Sequence, residues 1–233
     1  MSFKTKMSLI LLELYKFIVP GYLKKIVTIK RNKGGLNYIR LSILHYYGTA
    51  KWQENHEICE VTNFLKKNPL TLFPYKFTRK YKACKVKIHF DAQRKLNYVL
   101  HEGKKMYFKK SWTKKDIREN YTNLLREQDT NSPHRYLAAD FNIEPHDIVA
   151  DVGAAEGIFS LPLIEHVSKL YLFESDVEWI EALEATFSPW KNKVEIIKKF
   201  VSNTDGADSI SLDKFASLNK ITFDFIKVDV DGA

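Results

Sequence analysis

Between residues 148 and 230, short apolar runs alternate with helix-forming segments, and this alternation constrains the fold more than any other feature of the chain. Apolar runs at 148–152, 170–173, 194–197 and 223–230 read as strands, and helical spacing covers 158–167, 177–187 and 211–218. Strands separated by single helices form parallel βαβ units with right-handed crossovers. Ligands of such sheets bind outside the carboxyl ends of the strands. The expected fold class is α/β with a Rossmann-like sheet. The fourth run reads as buried on both faces, yet the sequence stops at Ala233, just past it. An open hydrophobic edge would result, so a sheet truncated after its fourth strand, lacking a C-terminal portion, is expected.

Upstream the signals are weaker. A basic, mainly helical extension is expected over 1–84, a small antiparallel meander plus a helix over 85–140, and the α/β domain over 141–233. Residues 7–19 carry apolar positions Ile10, Leu14, Phe17 and Ile18 at helical spacing, with Glu13 and Lys16 off that stripe. The uncharged part is far too short to span a bilayer. This helix either docks on the protein or lies on a membrane surface. Gly34-Gly35 reads as a turn before a helix over 36–47, and Ile58, Val61, Phe64 and Leu65 suit a helix ending near Asn68-Pro69. Residues 72–81 are aromatic and basic without a period. Val86, Ile88 and Phe90 alternate with polar residues, which predicts a strand over 85–90. Two further runs flank Glu102-Gly103 as a hairpin, and Thr113 caps a helix bearing Ile117, Tyr121, Leu124 and Leu125.

Charge divides the chain. Residues 1–120 hold 27 Lys and Arg against 8 Asp and Glu; the rest hold 10 against 20. A basic half of +19 beside an acidic half of −10 suggests an anionic partner for the first and a cationic or neutral ligand for the second. Two cysteines make no disulfide scaffold, and no Cys/His spacing suggests zinc. A reducing, cytoplasmic setting is the default expectation.

Three constellations carry chemistry. In Asp151-Val152-Gly153-Ala154-Ala155-Glu156-Gly157 an acid ends a strand and glycines four apart open a helix. Gly153 would let a ligand approach backbone N–H groups, Gly157 would allow close helix–strand packing, and the helix N-terminus would favour an anionic group. Glu174 ends the second strand, 23 residues after Asp151, where a carboxylate accepts from both ribose hydroxyls; otherwise it is a helix-start acid. Asp229 and Asp231 close the fourth strand, either at the ligand or as loop caps. His134, within 132–136, is a candidate base on a lid, and Ser202 follows the third strand.

Together these segments resemble the FkbM-type branch of the class I S-adenosylmethionine-dependent methyltransferases. The resemblance lies in DVGAAEG at 151–157, LYLFES at 170–175, and SLDKF at 211–215 followed by DFIKVDVDGA at 224–233. It implies a class I methyltransferase sheet and S-adenosylmethionine as cofactor, bound by Asp151, Gly153, Ala154, Ala155, Glu156, Gly157, Glu174, Ser175, Ser202 and Asp229. Asp229 or Asp231 would take the acceptor proton, and no metal is expected. Asp231 stands where the family carries glutamate, and the family continues with strands this sequence does not contain. The implied reaction is O-methylation of a sugar, glycan or small-metabolite hydroxyl. The basic half adds an anionic or lipid-linked acceptor at the inner membrane face, with peripheral contact through residues 1–33. A nicotinamide oxidoreductase shares the sheet but needs a second phosphate-facing glycine where Ala155 stands. A non-catalytic anion- or nucleic-acid-binding module would rest on charge alone, and no nucleic-acid motif supports it.

Overall fold

A computed structural model describes the backbone of residues 21–230 except 53 and 139, and side chains from residue 34 onward except residue 50. The expected helix at 7–19 and the carboxylate of Asp231 lie outside the described residues. The chain divides into two compact units, 1–78 and 79–233.

In the first unit, helix α1 (Gly21–Tyr47) runs straight through Gly34 and Gly35. The expected turn there is not formed. Nothing lies within 4 Å of where a Cβ would stand at either glycine, so no close packing requires them. Each weakens the helix by about 1 kcal/mol relative to alanine, which the surrounding turns tolerate. Helix α2 (His56–Lys67) starts at Asn55, whose side chain accepts from the Ile58 N–H, and ends at Asn68 as the spacing predicts. Arg40 donates to the Leu65 carbonyl (2.6 Å) and the Lys66 carbonyl (3.2 Å), satisfying acceptors that the end of α2 leaves open. Among the described residues no helix is long and apolar enough to cross a membrane.

The second unit opens with an antiparallel meander, β1 (His89–Asp91), β2 (Leu96–His101) and β3 (Lys104–Tyr107). Glu102 (φ 49°) and Gly103 (φ 81°) form the hairpin turn between β2 and β3, as two residues of positive φ match strand twist. The strand expected over 85–90 starts only at His89. Residues 83–85 form a 3-10 turn, and β1 finds a partner only along Leu96–Tyr98. Thr113 caps helix α3 (Lys114–Glu127) with a reciprocal bond to Asp116.

The α/β part holds a four-stranded parallel sheet of β4 (Ile148–Val152), β5 (Lys169–Phe173), β6 (Val194–Ile197) and β9 (Phe225–Val228), in the order β6-β5-β4-β9. That is the Rossmann-like order, and it reverses direction at β4, leaving a crevice between β4 and its neighbours. The strand alternation sorts the core into two layers. Val149, Leu170, Leu172 and Phe225 face one way, with the meander, α3 and helix α5 (Val177–Thr186). Ala150, Val152, Tyr171 and Phe173 face the other, with Phe215 of helix α6 (Leu212–Asn219). The helix expected over 158–167 shrinks to α4 (Ser160–Leu163). Ile158, Phe159, Leu161, Ile164 and Val167 are buried while Glu165 and His166 are exposed, and Pro162, which lacks an N–H to donate, stands within the run. Two short parallel strands, β7 (Phe200–Val201) and β8 (Ser209–Ile210), form a ribbon beyond β6. Strand β9 is buried on one face only; Ile226 and Val228 are 44% and 61% exposed.

Candidate functional site

The crevice lies outside the carboxyl ends of β4, β5 and β9, as the topology requires. Gly153 follows β4 with φ +75°, and a Cβ there would stand 2.0 Å from the Asp229 carbonyl oxygen. Glycine is therefore demanded by the neighbouring strand, and not only by the approach of a ligand. At Gly157 (φ +81°) a Cβ would meet the Phe187 ring at 2.9 Å and Leu183 at 3.3 Å, so this glycine sets the approach of the loop to α5. Ala155 also adopts positive φ, 46°. That conformation costs a non-glycine residue about 1–2 kcal/mol. Its N–H donates to Glu174 Oε2 (3.0 Å), which holds it there.

Following the loop's N–H groups corrects one expectation. Gly153 N and Ala154 N donate to the Phe173 carbonyl at 3.0 and 3.2 Å, Ala155 N to Glu174, and Gly157 N to the Ala154 carbonyl at 2.8 Å. The helix that follows is a single turn. The loop thus offers no row of open donors to an anion. Gly153 serves closeness to the end of β9, and Gly157 closeness to α5.

Beneath the loop sits a buried charge cluster. Asp151 is fully buried; Ser160 Oγ donates to its Oδ2 at 2.7 Å, and Lys227 Nζ lies 2.9 Å from its Oδ1. The lysine contact is an ion pair without hydrogen-bond alignment, since Oδ1 has no aligned donor. Lys227 also donates to the Gly153 carbonyl (2.9 Å), tying β9 to the loop. Burial pushes the Asp151 carboxyl upward, opposed by Lys227 and Ser160. Glu156 is buried too, and desolvation raises its carboxyl to about 7, with Asp151 and Glu127 adding to the rise and Lys227 opposing it. Tyr136 bridges Asp229 Oδ2 (2.5 Å) and Glu127 Oε1 (3.1 Å). Burial first, then the bond to Asp229, raises its hydroxyl far above the usual phenol value, so it stays a donor. It has one proton for two acceptors.

The crevice itself, about 380 Å³, is lined by Gly153, Ala155, Glu174, Ser175 and Asp229. Five of the residues singled out from the sequence therefore meet there. Asp151, Ala154, Glu156 and Gly157 do not line it; they lie beneath or behind the loop, where burial and packing occupy them. Ser202 does not line it either. Lys199, Phe200 and Val201 do so in its place, because β7 turns Ser202 toward β8, where its N–H bonds the Ile210 carbonyl at 3.1 Å. Glu174 accepts three backbone N–H groups, from Ala155, Ser175 and Asp176, which leaves about one of its four acceptor sites open. His134 is exposed, and of residues 132–136 it is Tyr136 that reaches a crevice residue.

Sequence reasoning missed Lys109, Asp176 and Trp179. Lys109 Nζ lies 2.6 Å from Asp176 Oδ2 and 4.8 Å from the Trp179 ring centroid at the crevice wall. Asp176 also caps α5, and the bond from Lys109 holds its carboxyl below the ordinary range. Asp176 was legible as an N-cap; Lys109 was not, because it arrives from the meander.

No protein-family model matches the chain, and no curated protein matches it. Parts of the chain are similar to solved structures. A methyltransferase FkbM from Methylobacillus flagellatus aligns at 14% identity and TM-score 0.35, over 52% of this chain and 37% of that one. A putative transferase from Pyrococcus horikoshii aligns at 14% and 0.31, over 45% and 36%. A dimethyladenosine transferase from Plasmodium falciparum aligns at 17% and 0.28, over 38% and 27%. The chain thus spans well under half the length of these proteins. Likeness this partial assigns no function, and the residues of the crevice must do so.

Proposed function

We propose that the chain is an S-adenosylmethionine-dependent methyltransferase that methylates a hydroxyl of a sugar, glycan or small metabolite. One observation carries the reading. The crevice presents the carboxylates Glu174, Asp176 and Asp229, while the loop's N–H groups are consumed within the protein. A dinucleotide pyrophosphate needs those donors; a sulfonium amino acid with a ribose needs carboxylates. The donor set fits the second. S-Adenosylmethionine would supply an electrophilic methyl group when bound. Glu174, Ser175 and Asp229 would hold its hydroxyls and cationic groups, and Lys109 or Lys199 its carboxylate. Asp229, with Oδ2 fixed by Tyr136, is our candidate for taking the acceptor proton, with Asp231 the second. Alignment of the two reactants would supply much of the rate.

The excess of 27 basic over 8 acidic residues in 1–120 supports an anionic or lipid-linked acceptor, met in the cytoplasm at the inner membrane face, with residues 1–33 as a contact. Titration calorimetry of the 233-residue protein with S-adenosylhomocysteine and with NAD tests the donor site. S-Adenosylhomocysteine should bind, and Asp229→Asn should weaken it by about 1–3 kcal/mol. Binding of NAD alone would overturn the assignment.

A further inference from the structure

Away from the crevice, residues 80–89 lie against β2 and α3 and enclose a groove of about 330 Å³. Lys80, Lys82, Lys85, Lys87 and His89 line it, and no acidic residue does. Lys80 is committed to Asp129. Lys82, Lys85 and Lys87 are exposed and have no acidic partner among the described residues. Two arginines of α3 hold the segment's backbone: Arg126 donates to the Tyr81 carbonyl (3.1 Å) and Arg118 to the Val86 carbonyl (3.4 Å). The lysines therefore stand on an anchored strap. Between them lie the aliphatic side chains of Val86, Val99, Leu100 and Leu125, beside Tyr81, Tyr121 and Thr122, and Leu100 is 53% exposed.

We propose that this groove docks the anionic head groups of a phospholipid bilayer. The lysine rim matches phosphate and carboxylate charge, and Leu100 with its aliphatic neighbours matches the apolar layer just beneath. Nucleic acid fits less well, because single strands are held on open aromatic faces. Here Lys80 covers the Tyr81 ring, His89 stacks on Tyr98 at 5.2 Å, and Tyr121 meets His101 and Phe108 edge-on. The inference is independent of which ligand the crevice takes.

Flotation of the 233-residue protein with phosphatidylcholine vesicles, with and without phosphatidylserine, tests it. The protein should float only with phosphatidylserine. Substituting Lys82→Gln, Lys85→Gln and Lys87→Gln together should reduce partitioning about 100-fold, since each lysine near an anionic surface is worth roughly five-fold. Leu100→Ser should reduce it several-fold with all charges intact. All four positions are exposed, and unchanged melting curves would verify the fold. Undiminished flotation of the triple variant would overturn the proposal by placing the binding elsewhere. Displacement by inorganic phosphate alone would make the groove a free-anion site. Failure to float, with a single-stranded RNA bound by the wild type and lost in the triple variant, would make it a nucleic-acid site.

Discussion

Replacing Glu156 by glutamine should make the protein more stable at pH 8 and change its stability by no more than about 1 kcal/mol at pH 5. The carboxyl is buried, and desolvation holds it at about 7 where 4.5 is ordinary. Between those pH values the folded protein keeps a proton that the unfolded chain releases. The folded state then binds more protons, and stability falls as pH rises through the window. At about 1.4 kcal/mol per pH interval of one, the loss reaches about 3 kcal/mol by pH 8. Glutamine keeps the shape and can still accept the residue's own backbone N–H, but it never ionises. His101 acts in the opposite sense over part of this range, because burial lowers its imidazole and favours the neutral ring as pH rises. That contribution is common to both proteins and cancels in their difference. Urea unfolding followed by tryptophan fluorescence at pH 5, 6, 7 and 8 reads the difference directly. A gap between the proteins that stays constant with pH, or a variant weaker at pH 8, would refute the reasoning.

Gly153→Ala places a Cβ 2.0 Å from the Asp229 carbonyl at φ +75°. Positive φ costs about 1–2 kcal/mol and overpacking about 1–3 more, so calorimetry should show a melting temperature lower by roughly 10 °C. A wild-type melt would mean that the loop and β9 do not meet as described. Lys227→Met leaves Asp151 buried beside Ser160 with no cation, which should cost about 3–5 kcal/mol in urea titrations. Adding Asp151→Asn should recover most of that, and simple additivity of the two changes would show the pair uncoupled.

Much of the fold was legible in local pattern. The apolar runs at 148–152, 170–173 and 194–197 appear as β4, β5 and β6, and Thr113 with Asp116 announces α3 by a local exchange of hydrogen bonds. Where local pattern misled, a particular residue or neighbour was the reason. Residues 158–167 have helical apolar spacing with Glu165 and His166 exposed, yet Pro162 stands inside the run and only one turn of helix forms. Val86 and Ile88 look like strand positions, yet no neighbouring strand reaches them, and they pack against the core from a strap. Gly34-Gly35 signals a turn by residue type, but the helix on both sides continues through.

Of the crevice, the residues at strand ends were determined by the sequence alone, since parallel topology brings the carboxyl ends of consecutive strands to one edge whatever the side chains do. Gly153, Glu174 and Asp229 needed no more than that. Which strand-end acid is instead withdrawn beneath the loop was decided only by the tertiary structure. Asp151 is neutralised from β9 by Lys227, and Tyr136 reaches Asp229 across 93 residues of chain. Lys109 comes to Asp176 from the meander, 67 residues away. Burial and partnership of charge depend on contacts between distant segments, and no spacing within one segment encodes them.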